Sequence, residues 1–296
     1  ESQETLATGP AIGCVAAHNW GKTSPLERSL GTDMTTTAVV VARPHPHVAQ
    51  VAINRPEAKN AIDETTRLRL IEAIAEALAD DTVRALLLRG TGGIFCAGGD
   101  LASMRGMSEE QARARMQSGH KLVQLLWNAD IPIVVAMEKF AIGAGAGLAL
   151  VADYIIAGET ARMNFPFLNL GLVPDWGSTQ SLVRKAGWGT ARRLVLDRAS
   201  LKGEQLLELN LVEQLVEDDK VMELAVNKAR ELSLLPRLAL RQFKETMRQS
   251  PQPMESALQA EESHQTHCFL SDEFEEGLTA LQERRSPDFL TGKYRE

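Results

Sequence analysis

Two neighbouring segments, KFAIGAGAGLALVADYIIAGE at residues 139–159 and FPFLNLGLVPDWGSTQ at residues 165–180, decide how this chain is read. In the first, Gly143, Gly145 and Gly147 alternate with Ala144 and Ala146, and the apolar run Leu148 to Ala152 follows at once. That pattern predicts a glycine-rich turn feeding a helix. Glycine admits a ligand or a second backbone at close range, and the first turn of a helix leaves amide N–H groups free to face an anion. Close helix–sheet packing would ask for the same small residues. The second segment ends in Asp175, set among Phe167, Leu172, Val173, Pro174 and Trp176. A carboxylate in apolar surroundings has a raised pKa and is the better base for it. An amide turn followed by a half-buried acid suits proton abstraction next to a carbonyl. Asp175 is equally placed to cap a helix starting near Gly177.

The surrounding chain is that of an ordinary soluble protein. It has 296 residues, 44% hydrophobic and 24% charged, enough for one large core with a small appendage. A net charge of −7 and the lack of a basic stripe with interleaved aromatics argue against a nucleic-acid partner. Apolar runs such as Ile131–Met137 are too short to span a bilayer. Cys14, Cys96 and Cys268 are odd in number and scattered, which fits neither a disulfide framework nor a zinc site and suits a reducing cytoplasm. Residues 1–33 lack both periodicity and the basic start and apolar core of a signal peptide, and are expected to be a disordered, tag-like or upstream extension.

From Met34 onward the chain is sharply patterned. Val39–Val41 and Val48–Ile53 read as a hairpin around Pro44 and Pro46. Asp63 caps an expected helix with Leu68, Ile71, Ile74 and Leu78 on one face. Val83–Leu88, apolar but for Arg84, and the apolar runs Ile131–Met137 and Tyr154–Ala157 read as strands of a buried parallel sheet. Glu109–Asn128 reads as a helix with Ala112, Met116, His120, Val123 and Trp127 on its apolar face, which makes His120 a core histidine. After Ser178 the pattern is almost wholly helical, with a boundary at Leu234-Leu235-Pro236. The expected organisation is an α/β body over 34–234 and a helical region over 235–296.

FCAGGDL at 95–101 precedes the glycine turn by about forty residues, INRPEAKNAI stands at 53–62, NLGLVPDWG at 169–177 and RRSPDFLTGK at 284–293. In that order these segments resemble the crotonase superfamily, the enoyl-CoA hydratases and isomerases. The resemblance covers about Val39 to Lys293, and the motifs together are far more specific than any one alone. It implies a crotonase-like spiral of β-β-α turns, a C-terminal α-helical trimerisation region, a homotrimer or hexamer, and an acyl-CoA thioester as substrate, with no cofactor beyond the coenzyme A that the substrate carries. It also implies an oxyanion hole built from the N–H groups of Gly99 and Ala144. Two fixed amides, one at a helix N-terminus, stabilise the enolate oxygen that forms when a proton leaves the carbon next to a thioester. By position, Ala97, Gly98, Asp100, Leu101 and Gly143 flank the substrate, Ala58 and Lys59 lie beside the adenine and phosphates of coenzyme A, and Phe289 and Lys293 reach coenzyme A on a neighbouring subunit. Phe167 and Trp176 line the acyl pocket or fill the core.

Hydratases of the superfamily carry two glutamates, three residues after the second oxyanion amide and directly after the proline of a turn. Here those places hold Gly147 and Phe167. Asp175, eight residues beyond Phe167, stands where the dienoyl-CoA and epoxyphenylacetyl-CoA isomerases place an aspartate. One carboxylate suffices for a 1,3 proton shift, taking a proton from one carbon and returning it to another. The resemblance therefore implies enoyl-CoA isomerisation with Asp175 as the base. Aryl-CoA dehalogenases offer a second template, with an aspartate nucleophile at the place of Asp175, an aromatic at that of Phe167 and a histidine near His120, although Asp100 replaces the aromatic they carry after the first oxyanion residue. A non-catalytic acyl-CoA binder is the third reading.

Overall fold

Strands without polar residues must be covered on both faces, and that requirement sets the architecture. The computed structural model describes residues 37–291. The extension expected over residues 1–33, Cys14 and Lys293 lie outside them. Among the described residues nine strands form: β1 Val39–His45, β2 Val48–Ile53, β3 Ala85–Gly90, β4 Ile133–Met137, β5 Phe140–Ile142, β6 Tyr154–Gly158, β7 Arg162–Asn164, β8 Ser200–Lys202 and β9 Gln214–Val216. They make a six-stranded sheet in the order β1-β2-β3-β4-β6-β9 and a three-stranded sheet in the order β5-β7-β8. β1 and β2 form the expected antiparallel hairpin, and the rest of the large sheet is parallel. Leu86, Leu87, Val134, Val135, Ile155 and Ile156 are almost wholly buried.

The helices are α1 Glu64–Ala79, α2 Glu109–Trp127, α3 Ala144–Leu150, α4 Ser178–Leu196, α5 Gly203–Glu208, α6 Val221–Leu232, α7 Arg237–Gln249, α8 Met254–Phe269 and α9 Asp272–Glu283. Asp63 caps α1 as expected, its Oδ1 accepting the Thr66 N–H at 2.8 Å. The two helices expected over 178–197 are joined end to end through a break at Gly187, whose backbone is not helical. The short strands β5, β7, β8 and β9 escape a reading by periodicity, because three residues carry no period.

Each turn of the chain places one strand in the large sheet, one short extended piece in a second layer, and then a helix. β4 is followed by β5 and α3, and β6 by β7 and α4. The second layer continues as single parallel bridges where strands are too short to form: Cys96 pairs with Ala141, and Ile62 with Gly99. α1 starts just after Ile62, and α2 follows the Gly99 loop. The result is a β-β-α spiral, with a stack of loops and helix starts along one edge of the second layer.

One correction concerns α2. Its buried face is Gly119, Leu122 and Leu126, while Ala112 and His120 are exposed. The expected apolar stripe is real but lies one position to the side, turned toward the loop that carries Asp175. His120 is not a core residue.

α7 is fastened to the sheet by a buried cation. Lys244 Nζ donates to the Ile131 carbonyl at 2.8 Å and to Asp153 Oδ2 at 2.5 Å, and the same oxygen accepts the Ile133 N–H at 2.8 Å. Burial pushes the Lys244 pKa down, and the charge of Asp153 opposes the fall. Lys244→Met strips Asp153 of its counter-charge. The expected loss is about 2 kcal/mol, below the ~3–5 kcal/mol of a fully enclosed pair because Asp153 is partly open to water. Urea unfolding of the two proteins checks this, and equal midpoints would contradict it.

Candidate active site

Hydrogen bonds of the second layer bring the separate sequence motifs together. Ala97 N–H donates to the Lys59 carbonyl at 3.0 Å, and Ile62 N–H to the Gly98 carbonyl at 2.8 Å. Cys96 N–H donates to the Phe140 carbonyl and Ile142 N–H to the Cys96 carbonyl, each at 3.1 Å. The INRPEAKNAI, FCAGGDL and GAGAG segments are thus three adjacent extended pieces. Gly98 has φ +96°, and a Cβ there would stand 2.5 Å from the Ile142 carbonyl oxygen and 3.7 Å from the Ala144 nitrogen. A Cβ on Gly145 would lie 2.7 Å from the Cys96 carbonyl oxygen. The small residues of both motifs are needed for this approach.

The N–H groups of Gly99 and Ala144 have no acceptor among the described residues. Gly99 is preceded by a bonded Gly98 and followed by Asp100, whose N–H reaches the Ile62 carbonyl at 3.0 Å. Ala144 opens α3, and its N–H is one of the first-turn donors that a helix leaves unpaired. Cys96 sits beneath both segments. Burial pushes its thiol up to about 12, so it is a packing residue and not a nucleophile.

Phe167 is buried, with its ring 3.9 Å from where a Gly143 Cβ would be. Trp176 is buried too, and its backbone takes the left-handed conformation with φ 52°. Its indole covers Gly119 of α2, and its Cβ stands 2.8 Å from the position of a Gly147 Cβ. Trp176 therefore occupies the space that a side chain at 147 would need.

Asp175 is half-buried beside it, and its Oδ1 is enclosed without a hydrogen-bond partner. Burial raises its pKa; its own amide and the charges of Arg115 and His120 pull the other way without cancelling the rise. The Ser178 N–H, which a capping carboxylate would accept, goes instead to the Asp175 main-chain carbonyl at 3.0 Å, and the Ser178 hydroxyl to the same oxygen at 2.5 Å. The side chain of Asp175 is not the cap of α4.

Arg115 joins the two halves of the site, and sequence reasoning missed it. Its Nη2 lies 3.0 Å from where a Gly99 Cβ would be, and its charge is felt at Asp175. On α2 it falls beside the apolar stripe, where a solvated charge is the default reading, so only the fold exposes its position. Met104 is the other unforeseen neighbour of Gly99, its Cε 2.5 Å from the same point.

Of the substrate residues expected from sequence, Ala58, Lys59, Ala97, Gly98, Gly99, Gly143, Ala144, Phe167, Asp175 and Trp176 share this locality. Leu101 is exposed at its rim. The carboxylate of Asp100 is engaged within the protein, with Oδ1 accepting the Ala102 N–H at 3.0 Å and Oδ2 facing Arg55 at 3.5 Å. Phe289 is half-buried beyond α9.

The sequence and the spiral fold match a known group of proteins. The profile of the enoyl-CoA hydratase/isomerase family matches residues 43–292. A 2,3-dehydroadipyl-CoA hydratase of Escherichia coli K12 is 31% identical over 255 residues, 85% of this chain and 98% of the relative. A 1,2-epoxyphenylacetyl-CoA isomerase of the same organism is 34% identical over 251 residues, 83% and 95% of the two chains. The crystal structure of an enoyl-CoA hydratase from Bacillus anthracis superposes with a TM-score of 0.82 at 27% identity, covering 86% of this chain and all of that one. The chain belongs to the enoyl-CoA hydratase/isomerase family of acyl-CoA enzymes, within the crotonase superfamily.

Gly147→Glu tests the space at the position where hydratases of the superfamily carry a glutamate. The new side chain meets Trp176 and Ser178, neither of which can withdraw without shifting the loop. The expected destabilisation is about 1–3 kcal/mol, read as a lower Tm. An unchanged Tm would show that the loop yields freely.

Proposed function

We propose that the enzyme catalyses enoyl-CoA isomerisation, with Asp175 moving the proton and the Gly99 and Ala144 amides holding the thioester oxygen. The observation that carries this reading is the state of Asp175. It is a carboxylate with an enclosed, unpartnered oxygen and a raised pKa, and no capping duty explains it. Abstraction of a proton next to the thioester carbonyl makes an enolate. The two amides bind its oxygen, with loss of one such donor typically costing about 3–4 kcal/mol of transition-state stabilisation. Asp175, now protonated, returns the proton to a carbon further along the chain. Gly147 and Phe167 supply no acid to activate water, and Trp176 closes the space at 147. Coenzyme A enters with the substrate, beside Ala58 and Lys59, and the reading needs no other cofactor.

Hydratase relatives give hydration a claim as a second reading. It needs a second proton-transfer group at the site. The nucleophilic reading would use His120, which is exposed but near enough for its charge to reach Asp175.

Asp175→Asn is the test. Turnover of a 3-enoyl-CoA to its 2-enoyl isomer, followed by ultraviolet absorbance and by mass, is expected to fall by roughly two to four orders of magnitude. Binding of the thioester should hardly change. A product heavier by one water would establish hydration instead, and normal turnover in the variant would remove Asp175 from the mechanism.

The pH dependence follows from the raised pKa. The base form is lost as pH falls through that value, so the acid limb of kcat lies at higher pH than an exposed aspartate would give. The linkage has the matching sign. A carboxyl group whose folded pKa exceeds its unfolded one favours the fold at low pH and loses that contribution as pH rises through the folded value. Asp175→Asn is therefore expected to raise Tm at neutral pH while it removes activity. A variant that is both inactive and less stable would point to a structural role.

Assembly into a trimer or a pair of trimers belongs to the same reading. It is supported by apolar side chains left in water along the C-terminal helices, among them Phe243, Met254, Leu270 and Leu281. Light scattering at micromolar concentration should give three or six times the chain mass, and a monomer would count against it.

A further inference from the structure

Between α1, α2 and the loop after Gly99 lies a cavity of about 410 Å³ whose lining includes Arg67, Arg105 and Arg115, with Glu64 as its only acid. The volume falls within the usual range for small-ligand sites, ~300–1,000 Å³. Three guanidinium groups converge on it, and a single carboxylate of the lining, Glu64, stands against them. Among the described residues, no ion pair involves Arg67, Arg105 or Arg115. Two of the nearby acids are engaged with another arginine: Asp63 faces Arg55 at 3.1 Å and caps α1, and Asp100 faces the same arginine.

Arg67 is the telling residue. It is 3% exposed, its Nε donates to Ser118 Oγ at 2.5 Å, and its Nη1 is enclosed with no hydrogen-bond partner. A buried cation with an idle donor is costly to the fold, and a second cation, Arg115, disfavours its charge further; the charges of Glu64 and Asp63 oppose this without cancelling it. A ligand anion relieves both.

The cavity also has a direction. The Lys59 loop packs on Ala97, at one end of the FCAGGDL segment, whereas Arg115 stands over Gly99 at the other, reaching Ser103 Oγ at 3.2 Å. With coenzyme A on the Lys59 side and the thioester oxygen at Gly99, the acyl chain leads away from Lys59, past Met104 and Arg115, into the arginine-lined space.

We infer that this cavity is a subsite for a carboxylate at the far end of the acyl chain, so that the preferred substrates are acyl-CoA thioesters with an acidic acyl tail. This rests on the acyl-CoA orientation proposed above, not on which reaction Asp175 performs. Arg67 and Arg115 form charge-assisted hydrogen bonds to the carboxylate, with a planar geometry that suits its two oxygens. Arg105, on the exposed loop, closes over it.

Calorimetric binding of two unreactive saturated thioesters, hexanoyl-CoA and its ω-carboxylate counterpart, tests the subsite without any turnover. The native protein is expected to bind the carboxylate-ended thioester at least roughly tenfold more tightly. Arg115→Gln and Arg105→Gln should each reduce that preference severalfold to about tenfold, the range for loss of a charged hydrogen bond with some solvent screening. Arg67→Met should abolish it. Because Arg67 is buried and its variant can fail to fold, the surface variant Arg105→Gln carries the test by itself. Equal affinity of the native protein for the two thioesters overturns the proposal. So does an equal loss for both in the variants, which would assign the arginines to the phosphates of coenzyme A. Failure of both thioesters to bind would overturn the acyl-CoA reading itself, and the subsite with it.

Discussion

The site depends on the edge-to-edge contact of two extended segments, Phe95–Gly99 and Phe140–Gly143. Parallel backbone hydrogen bonds between Cys96, Phe140 and Ile142 hold them in register. Register matters because it leaves the next two N–H groups, on Gly99 and Ala144, without a partner on the same edge. A one-residue slip would pair or bury them. The contact is possible only because Gly98 and Gly145 have no Cβ, each facing a carbonyl oxygen at a distance no side chain tolerates. The second layer is thus short by necessity: its pieces pair just long enough to fix the loops and then stop.

That arrangement places a cost on Asp175, which the fold meets nearby. The loop carrying it is fixed by Trp176, wedged between Gly119 and Gly147, and by Ser178, whose N–H and hydroxyl both hold the Asp175 carbonyl. The main chain is anchored, so the side chain is left free of structural duty. Its enclosed oxygen is poorly solvated, which destabilises the anion and makes it a stronger base than an exposed aspartate. The charges of Arg115 and His120 oppose the resulting rise in pKa without cancelling it. Arg115 also faces Gly99, so Gly99 and Asp175 share one positive charge as a neighbour.

The cavity between α1, α2 and the loop after Gly99 is lined by three arginines and one glutamate, although the chain as a whole carries −7. Arg67, Arg105 and Arg115 come from α1, a loop and α2, and stand together only because the spiral stacks successive helix starts along one edge. Net charge gives no hint of such a local concentration. It describes long-range attraction and solubility, whereas recognition of an acyl group is decided over a few ångströms.

Sequence by itself determined the frame. Mostly apolar runs specify strands buried on both faces, so β3, β4 and β6 were legible; β1 and β2 were legible as a hairpin, and the long helices by their caps and apolar stripes. The glycine turn, the acid at 175 and the absence of acids at 147 and 167 were legible for a local reason: each is stated by residue identity at a position. What only the tertiary structure decided are relations between elements. Three-residue strands have no periodicity of their own and exist because neighbours offer hydrogen bonds. The stripe on α2 was legible, but its rotation was not, since a helix turns to suit the residue it packs on, here Gly119 beneath Trp176. His120 therefore lies in water and Arg115 in the site. Whether Asp175 capped a helix was likewise undecidable from spacing, because a main-chain carbonyl competes for the same N–H and leaves no mark in the sequence. Residue types limit what a chain can do; which charges meet is settled by how far the backbone brings them together.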